Sequence, residues 1–317
     1  MSQPFPKTVI YHPKADLYRE HLHKAVPDLA PVLVTQPGDL PEALPDTEIL
    51  ICAELSADEA AMTRNLRWIQ ATSAGVERLL PARDHLRDVL VTNARGIHSE
   101  LMSDHVLAAM VMLQWDFPRI LQDQSARRWR REPKVALAGK TVGVIGAGAI
   151  GGEIGRRASH FGMRVLGIRR SGEPLPGFDE VFRPERLDQV LAECDFICIA
   201  VPATGETNRL IGAAQFDAMK EGAFFINIAR GSIVDEDALI VALMAGKLAG
   251  AALDVFEKEP PDDDNPLWDL PNVIMTPHVS GMLDTNEERL VAIFADNLRR
   301  YRSGEPLRNV VDLARGY

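Results

Sequence analysis

The 317-residue sequence predicts an α/β protein of two domains, with a doubly wound parallel sheet inserted into a smaller α/β unit. Three observations predict it. Short β-branched apolar runs alternate with helix-period segments along most of the chain. A glycine signature, Gly146-x-Gly148-x-x-Gly151, stands between one such run and one such segment. After His278 the alternation stops, and one long amphipathic segment, Asn286 to Tyr301, closes the chain.

The N-terminal elements come first. Thr8 to Tyr11, Val32 to Thr35, Ile49 to Cys52, Trp68 to Ala71 and Val89 to Thr92 read as strands. Asp16 to Val26 has helical spacing, and turns such as Pro37-Gly-Asp-Leu-Pro41 separate the elements. These runs predict a parallel α/β domain of residues 1–97. Ser99 to Gln114 is an apolar-periodic helix leading away from it.

The second unit begins at Lys140. Thr141 to Ile145 has the β-branched, apolar character of a strand buried on both faces. Gly146 permits a tight turn out of it, Gly148 lets backbone approach a pyrophosphate, and Gly151 lets the next helix pack closely. The amides of Ala149 and Ile150 would face the phosphates at the positive end of the helix Glu153 to Phe161. Further strands are Arg164 to Ile168, Phe196 to Val201, Ala223 to Ile228, Gly250 to Val255 and Val273 to Met275. Six strands with helices between them predict a Rossmann-type sheet over residues 98–285. Residues 286–317 would return to the first domain, with hinges near Ile97 and Leu283 across a cleft. No internal repeat or low-complexity segment interrupts this plan.

Composition bounds the partners. Apolar residues make up 46% and charged residues 25%, as in ordinary globular chains. A net charge of −10 argues against nucleic acid or an anionic membrane as partner, so an anionic substrate needs local cations. Three cysteines form no closed disulfide set, and Cys194 and Cys198 read as core thiols. The opening Met-Ser-Gln-Pro-Phe-Pro-Lys lacks a secretory apolar stretch, and no run reaches spanning length. A cytoplasmic protein without metal is expected.

Three clusters follow the later strands, where ligands bind in open α/β sheets. Arg230 lies in Asn227-Ile-Ala-Arg-Gly231, Asp254 and Glu259 in Asp254-Val-Phe-Glu-Lys-Glu-Pro260, and His278 in Thr276-Pro-His-Val-Ser-Gly281. Singly each has a bland explanation as a loop charge, a turn carboxylate or a satisfied histidine. Together they place a cation, a carboxylate and an imidazole beside a dinucleotide, the set that hydride exchange with a carbonyl requires.

With these motifs the chain resembles the D-isomer-specific 2-hydroxyacid dehydrogenases, including the glyoxylate/hydroxypyruvate reductases. Val142 to Gly151, Ile226 to Asp235, Leu253 to Pro260, Pro277 to Gly281, Gln70 to Glu77 and Thr92 to Gly96 carry the likeness over nearly the whole chain. The resemblance implies a flavodoxin-like substrate domain, a homodimer, and reduction of a small 2-keto acid to the D-2-hydroxy acid. It makes His278 the proton donor, Glu259 its partner, and Arg230 the group that binds carboxylate and carbonyl by its fork. Ala74, Gly75 and Val76 would offer amides to the same carboxylate. Asp254 would face the nicotinamide, with Ala229 and Ser280 also on the coenzyme, and Val201, Pro202 and Thr207 on its adenosine side. Trp129 would lie on a dimer arm. His98 and His105 are expected to be structural.

Coenzyme choice rests on a departure. NAD-specific sheets carry an acid at the end of the second strand, about 20 residues past the glycines. Here Arg169-Arg-Ser171 stands instead, which predicts NADP(H) in preference to NAD(H). Related alternatives are an NAD(P)H-sensing scaffold, since some transcriptional corepressors resemble the family, and phosphoglycerate dehydrogenase. The first is expected to carry a long disordered tail and the second a regulatory extension. Formate dehydrogenase would carry glutamine at Glu259.

Overall fold

The structure is a computed structural model that describes residues 5–316; residues 1–4 and 317 lie outside it, and with them part of the opening segment read for a leader. Its contacts define two compact units. One runs to Ile97 and resumes at Leu283, and the other spans His98–Met282.

In the first unit β1 (Thr8–Tyr11), α1 (Ala15–Ala25), β2 (Val32–Val34), α2 (Leu40–Ala43), β3 (Ile49–Cys52), α3 (Ala57–Met62), β4 (Trp68–Ala71) and β5 (Leu90–Thr92) follow in turn. The strands are all parallel in the order β2-β1-β3-β4-β5, the flavodoxin-like arrangement. Every residue of β3 and β4 is buried, which explains why neither alternates with polar residues. Ser56 and Glu59 form a reciprocal cap that starts the short α3.

The second unit holds α4 (Ser99–Gln114), α5 (Phe117–Ser125), β6 (Thr141–Ile145), α6 (Ala149–His160), β7 (Arg164–Ile168), β8 (Glu180–Phe182) and α7 (Leu187–Glu193). It continues with β9 (Phe196–Ile199), α8 (Ala213–Ala218), β10 (Ala223–Asn227), α9 (Glu236–Met244), β11 (Leu248–Leu253) and β12 (Val273–Met275). The parallel sheet runs β12-β11-β10-β9-β6-β7-β8. Sequence reasoning anticipated six of these strands and missed β8. Its three residues are partly or fully exposed, so no apolar run marks it. Phe178 docks the segment leading into β8: a Cβ on Gly155 or Gly167 would lie 2.2 or 2.8 Å from its ring. The sheet order reverses between β6 and β9, and their C-terminal ends form the switch point where ligands bind in such folds.

The chain then returns to the first unit as α10 (Asn286–Ser303). Its buried Leu290, Val291, Phe294 and Leu298 share a core with Ile10, Ile51 and Trp68, and the Phe294 ring stacks on Trp68 at 5.0 Å. Glu287, buried in its first turn, pairs with Lys14 at 2.7 Å. All three cysteines are buried free thiols, and burial pushes Cys194 and Cys198 up to about 12. Among the described residues no helix is long and apolar enough to cross a membrane.

Candidate active site

The turn after β6 is built by glycines with separate duties. Gly146 has a φ of 103°, and a Cβ there would lie 2.6 Å from the backbone of Ala200 and Val201. It therefore lets the β6 turn meet the exit of β9 at the switch point. The amides of Gly146 and Ala147 donate to the Ile168 carbonyl at 2.9 and 2.8 Å, fixing the turn to the end of β7. Gly151 brings α6 so close that a Cβ would sit 2.2 Å from the Gly146 oxygen. By contrast, a Cβ on Gly148 would meet no heavy atom within 4 Å. That open space lies at the N-cap of a 12-residue helix whose first amides belong to Ala149 and Ile150. A dinucleotide's phosphates fit there: donors and the helix dipole face space that no side chain fills.

Past β7 the chain carries the cations expected on the adenosine side. The Arg169 amide donates to the Phe182 carbonyl at 3.0 Å, so β8 holds this loop in place. Arg170 donates to Glu206 at 2.6 Å, an exposed pair joining the loop after β7 to the loop after β9. The Ser171 hydroxyl accepts from the Glu173 amide at 3.3 Å. Arg183 was not anticipated. Its stem lies against Gly172, where a Cβ would come within 2.8 Å of Cγ, and Gly172 closes the turn that begins at Arg169. Missing β8 hid it, because nothing else in the sequence ties residue 183 to residue 172. In the loop after β9, Thr207 is spent on local order. Its hydroxyl donates to the Pro202 carbonyl at 2.7 Å and accepts from the Thr204 amide at 2.8 Å, shaping Val201 and Pro202.

The loops after β10, β11 and β12 interlock. Asn227 ends β10 and accepts from the Ala229 amide at 3.0 Å while donating to the Arg230 carbonyl at 3.1 Å, so it shapes the turn that carries Arg230. The Arg230 guanidinium donates to the Ala229 carbonyl at 2.7 Å and is half-buried. Gly231 comes next, and a Cβ on it would lie 1.9 Å from the Phe256 carbonyl carbon. The Arg230 turn thus rests directly on the backbone that leads to Glu259.

Glu259 and His278 meet. Nδ1 of the imidazole lies 2.7 Å from Oε2 of Glu259, and Oε1 of the same carboxylate accepts from the Phe256 amide at 3.1 Å. The carboxylate is held from one side and presents its other oxygen to the ring. His278 adopts a φ of 52°, unusual for a residue with a Cβ. Its amide bonds to the Asp254 carbonyl at 2.9 Å, which fixes that conformation. With Nδ1 engaged, Nε2 is the nitrogen left to exchange a proton with a ligand.

Asp254 holds the histidine loop. Its oxygens accept from the Thr276 hydroxyl at 2.6 Å, the Val279 amide at 3.0 Å and the Ser280 amide at 2.9 Å, and its side chain is fully buried. Burial opposes its charge, but the bonds from Ser280, Thr276 and Val279 outweigh this and keep the carboxyl below its ordinary range. The residue expected to face a nicotinamide is here bonded on both oxygens to the 276–280 loop. Thr276 has a role that its position in a motif did not reveal. Ser280 and Ala229 are both buried.

Ala74, Gly75 and Val76 belong to the first unit, in the loop after β4. Asn93 donates to the Ala74 carbonyl at 2.7 Å and Ser73 to the Gly75 carbonyl at 2.6 Å. Among the described residues no group of three or more His, Cys, Asp or Glu side chains is arranged to hold a metal ion.

Known proteins share this framework. The family model described as D-isomer specific 2-hydroxyacid dehydrogenase, NAD binding domain, matches residues 107–280. The chain is 34% identical over 312 residues to D-3-phosphoglycerate dehydrogenase of Archaeoglobus fulgidus; this covers 95% of the chain and 54% of that relative, about half its length. It is 32% identical over 321 residues to glyoxylate/hydroxypyruvate reductase B of Citrobacter koseri, covering 97% of the chain and 98% of the relative. The crystal structure of a D-isomer specific 2-hydroxyacid dehydrogenase from Xanthobacter autotrophicus Py2, in complex with NADPH and MES, matches with a TM-score of 0.90 at 32% identity, over 99% of this chain and all of that one. A strand–glycine–helix turn at the switch point, two parallel sheets and these matches place the chain in the family of D-isomer specific 2-hydroxyacid dehydrogenases, which are NAD(P)-dependent oxidoreductases.

Proposed function

We propose that the chain reduces a small 2-keto acid, of the size of glyoxylate or hydroxypyruvate, to the D-2-hydroxy acid, with NADP(H) preferred over NAD(H). The observation that carries this is the 2.7 Å contact between His278 and Glu259. A carboxylate on Nδ1 fixes the ring's orientation and leaves Nε2 to give a proton to the carbonyl oxygen. The bound coenzyme supplies the hydride. Arg230 binds the keto acid by its carboxylate and carbonyl, a task for a planar fork rather than a point charge. The amides of Ala74, Gly75 and Val76 are donors for the same carboxylate.

The coenzyme preference is supported by Arg169 and Arg170 standing just past β7, where NAD-specific sheets carry an acid, with the Arg183 side chain against Gly172. The NADPH in the Xanthobacter relative points the same way for that protein. A homodimer is supported by apolar side chains exposed around α5, among them Leu121 and Val135, with Trp129 91% exposed. Buried free thiols suit the reducing cytoplasm. The test is a panel of 2-keto acids given to the purified protein with NADPH or NADH, with coenzyme oxidation recorded. Turnover of a small keto acid supports the proposal. Tight coenzyme binding with no turnover across the panel would make the chain a coenzyme-sensing scaffold instead.

A further inference from the structure

We propose that Asn93 and Ser73 are positioning residues that set the amides of Ala74, Gly75 and Val76 as a cradle for the substrate carboxylate. This rests on the 2-keto acid function proposed above. Along the loop after β4, four consecutive carbonyls are tied back. Ser73 O accepts from the Ala94 amide at 3.0 Å, Ala74 O from Asn93 Nδ2 at 2.7 Å, Gly75 O from the Ser73 hydroxyl at 2.6 Å, and Val76 O from the Leu79 amide at 2.9 Å.

In a planar trans peptide the N–H points opposite to the preceding C=O. Tying the oxygens of Ser73, Ala74 and Gly75 therefore turns the N–H groups of Ala74, Gly75 and Val76 the other way. Among the described residues none of these three N–H groups has a hydrogen-bond partner. Val76 is 1% exposed, and buried donors in native proteins are almost always paired. Consecutive unpaired amides form a concavity for an anion. A loop showing donors while hiding its acceptors suits a carboxylate and repels a cation.

Asn93 is held firmly enough to act as the lever. It is buried, its Oδ1 accepts from the Arg95 amide at 3.1 Å, and its own amide donates to the Asn309 carbonyl at 3.1 Å. Asn309 in turn donates to the carbonyls of Asn93 at 3.3 Å and Arg95 at 2.9 Å. With Oδ1 occupied, only Nδ2 faces Ala74. Ser73 ties the next carbonyl independently.

The test uses the full chain with NADPH. Asn93→Asp keeps an acceptor for Arg95 but sets an oxygen against the Ala74 carbonyl, and Ser73→Ala removes the second tie at a half-buried position. Each should raise the KM for the keto acid about 10-fold, the scale of one hydrogen bond to a charged ligand. The kcat and the coenzyme KM should stay at parent values, because uniform substrate binding alone is lost. Ser73→Ala decides the matter if Asn93→Asp does not fold. An unchanged keto-acid KM in an otherwise active protein overturns the roles of Asn93 and Ser73 alone, as does a parallel loss of kcat and coenzyme affinity. A parent that reduces no keto acid overturns the functional proposal, and this one with it.

Discussion

Oε2 of Glu259 lies 2.7 Å from Nδ1 of His278, while the Phe256 amide holds the other oxygen of that carboxylate at 3.1 Å. One carboxylate is thereby fixed at both oxygens, to the loop after β11 and to the imidazole, and the ring so held sets the orientation of Nε2. Glu259→Gln keeps the shape and removes the charge. Nδ1 then loses the charged oxygen that orients the ring, so kcat for reduction should fall about 10-fold, the scale of one charge-assisted hydrogen bond, with the coenzyme KM at the parent's value. A kcat equal to the parent's would remove Glu259 from the proton donor's environment.

Arg230→Lys keeps the charge and loses the fork. The expected cost is about 1.5–3 kcal/mol of transition-state stabilisation, seen as a lower kcat/KM for the keto acid. Steady-state kinetics with the parent's best substrate checks this. Parent-like efficiency would reduce Arg230 to a loop charge.

Asp254 ties stability to pH. Its folded carboxyl lies below the ordinary range, so it contributes stability that is fully present above about pH 4 and is lost as pH falls through the lowered value. Asp254→Asn lacks that contribution and replaces one of the two accepting oxygens by an NH2 that faces a donor. Its Tm should lie well below the parent's at neutral pH, with the gap narrowing in acid. A gap constant from pH 7 to pH 3 would mean that the charge does not hold the histidine loop.

Under the proposed function, coenzyme choice follows from the guanidinium groups after β7. The parent should favour NADPH over NADH by about 10–100-fold in kcat/KM, the worth of one or two exposed charge-assisted contacts. Arg169→Asp combined with Arg170→Ala should erase that preference. A parent that favours NADH, or a double variant with the parent's ratio, contradicts the assignment.

Most of this architecture was legible in the sequence because burial leaves a pattern. β6 and β9 are buried throughout, covered on both faces and apolar but for Thr141, and Gly146 and Gly151 are demanded by backbone contacts. β8 left no such trace: it is a short, half-exposed edge, and Arg183 went unnoticed with it. Asn93 and Ser73 were invisible for another reason. They act on backbone carbonyls, and main-chain direction is not written in side-chain periodicity. Asp254 was recognisable by its motif, yet the sequence did not reveal that Thr276, Val279 and Ser280 occupy both of its oxygens.

The central claim is that Nε2 of His278 gives the proton when a 2-keto acid is reduced. The most direct measurement is turnover of the best keto acid by His278→Gln, alongside its affinity for NADPH. Turnover should fall by about 10²–10⁴-fold with coenzyme affinity nearly intact. Near-parental turnover in that variant would contradict the account.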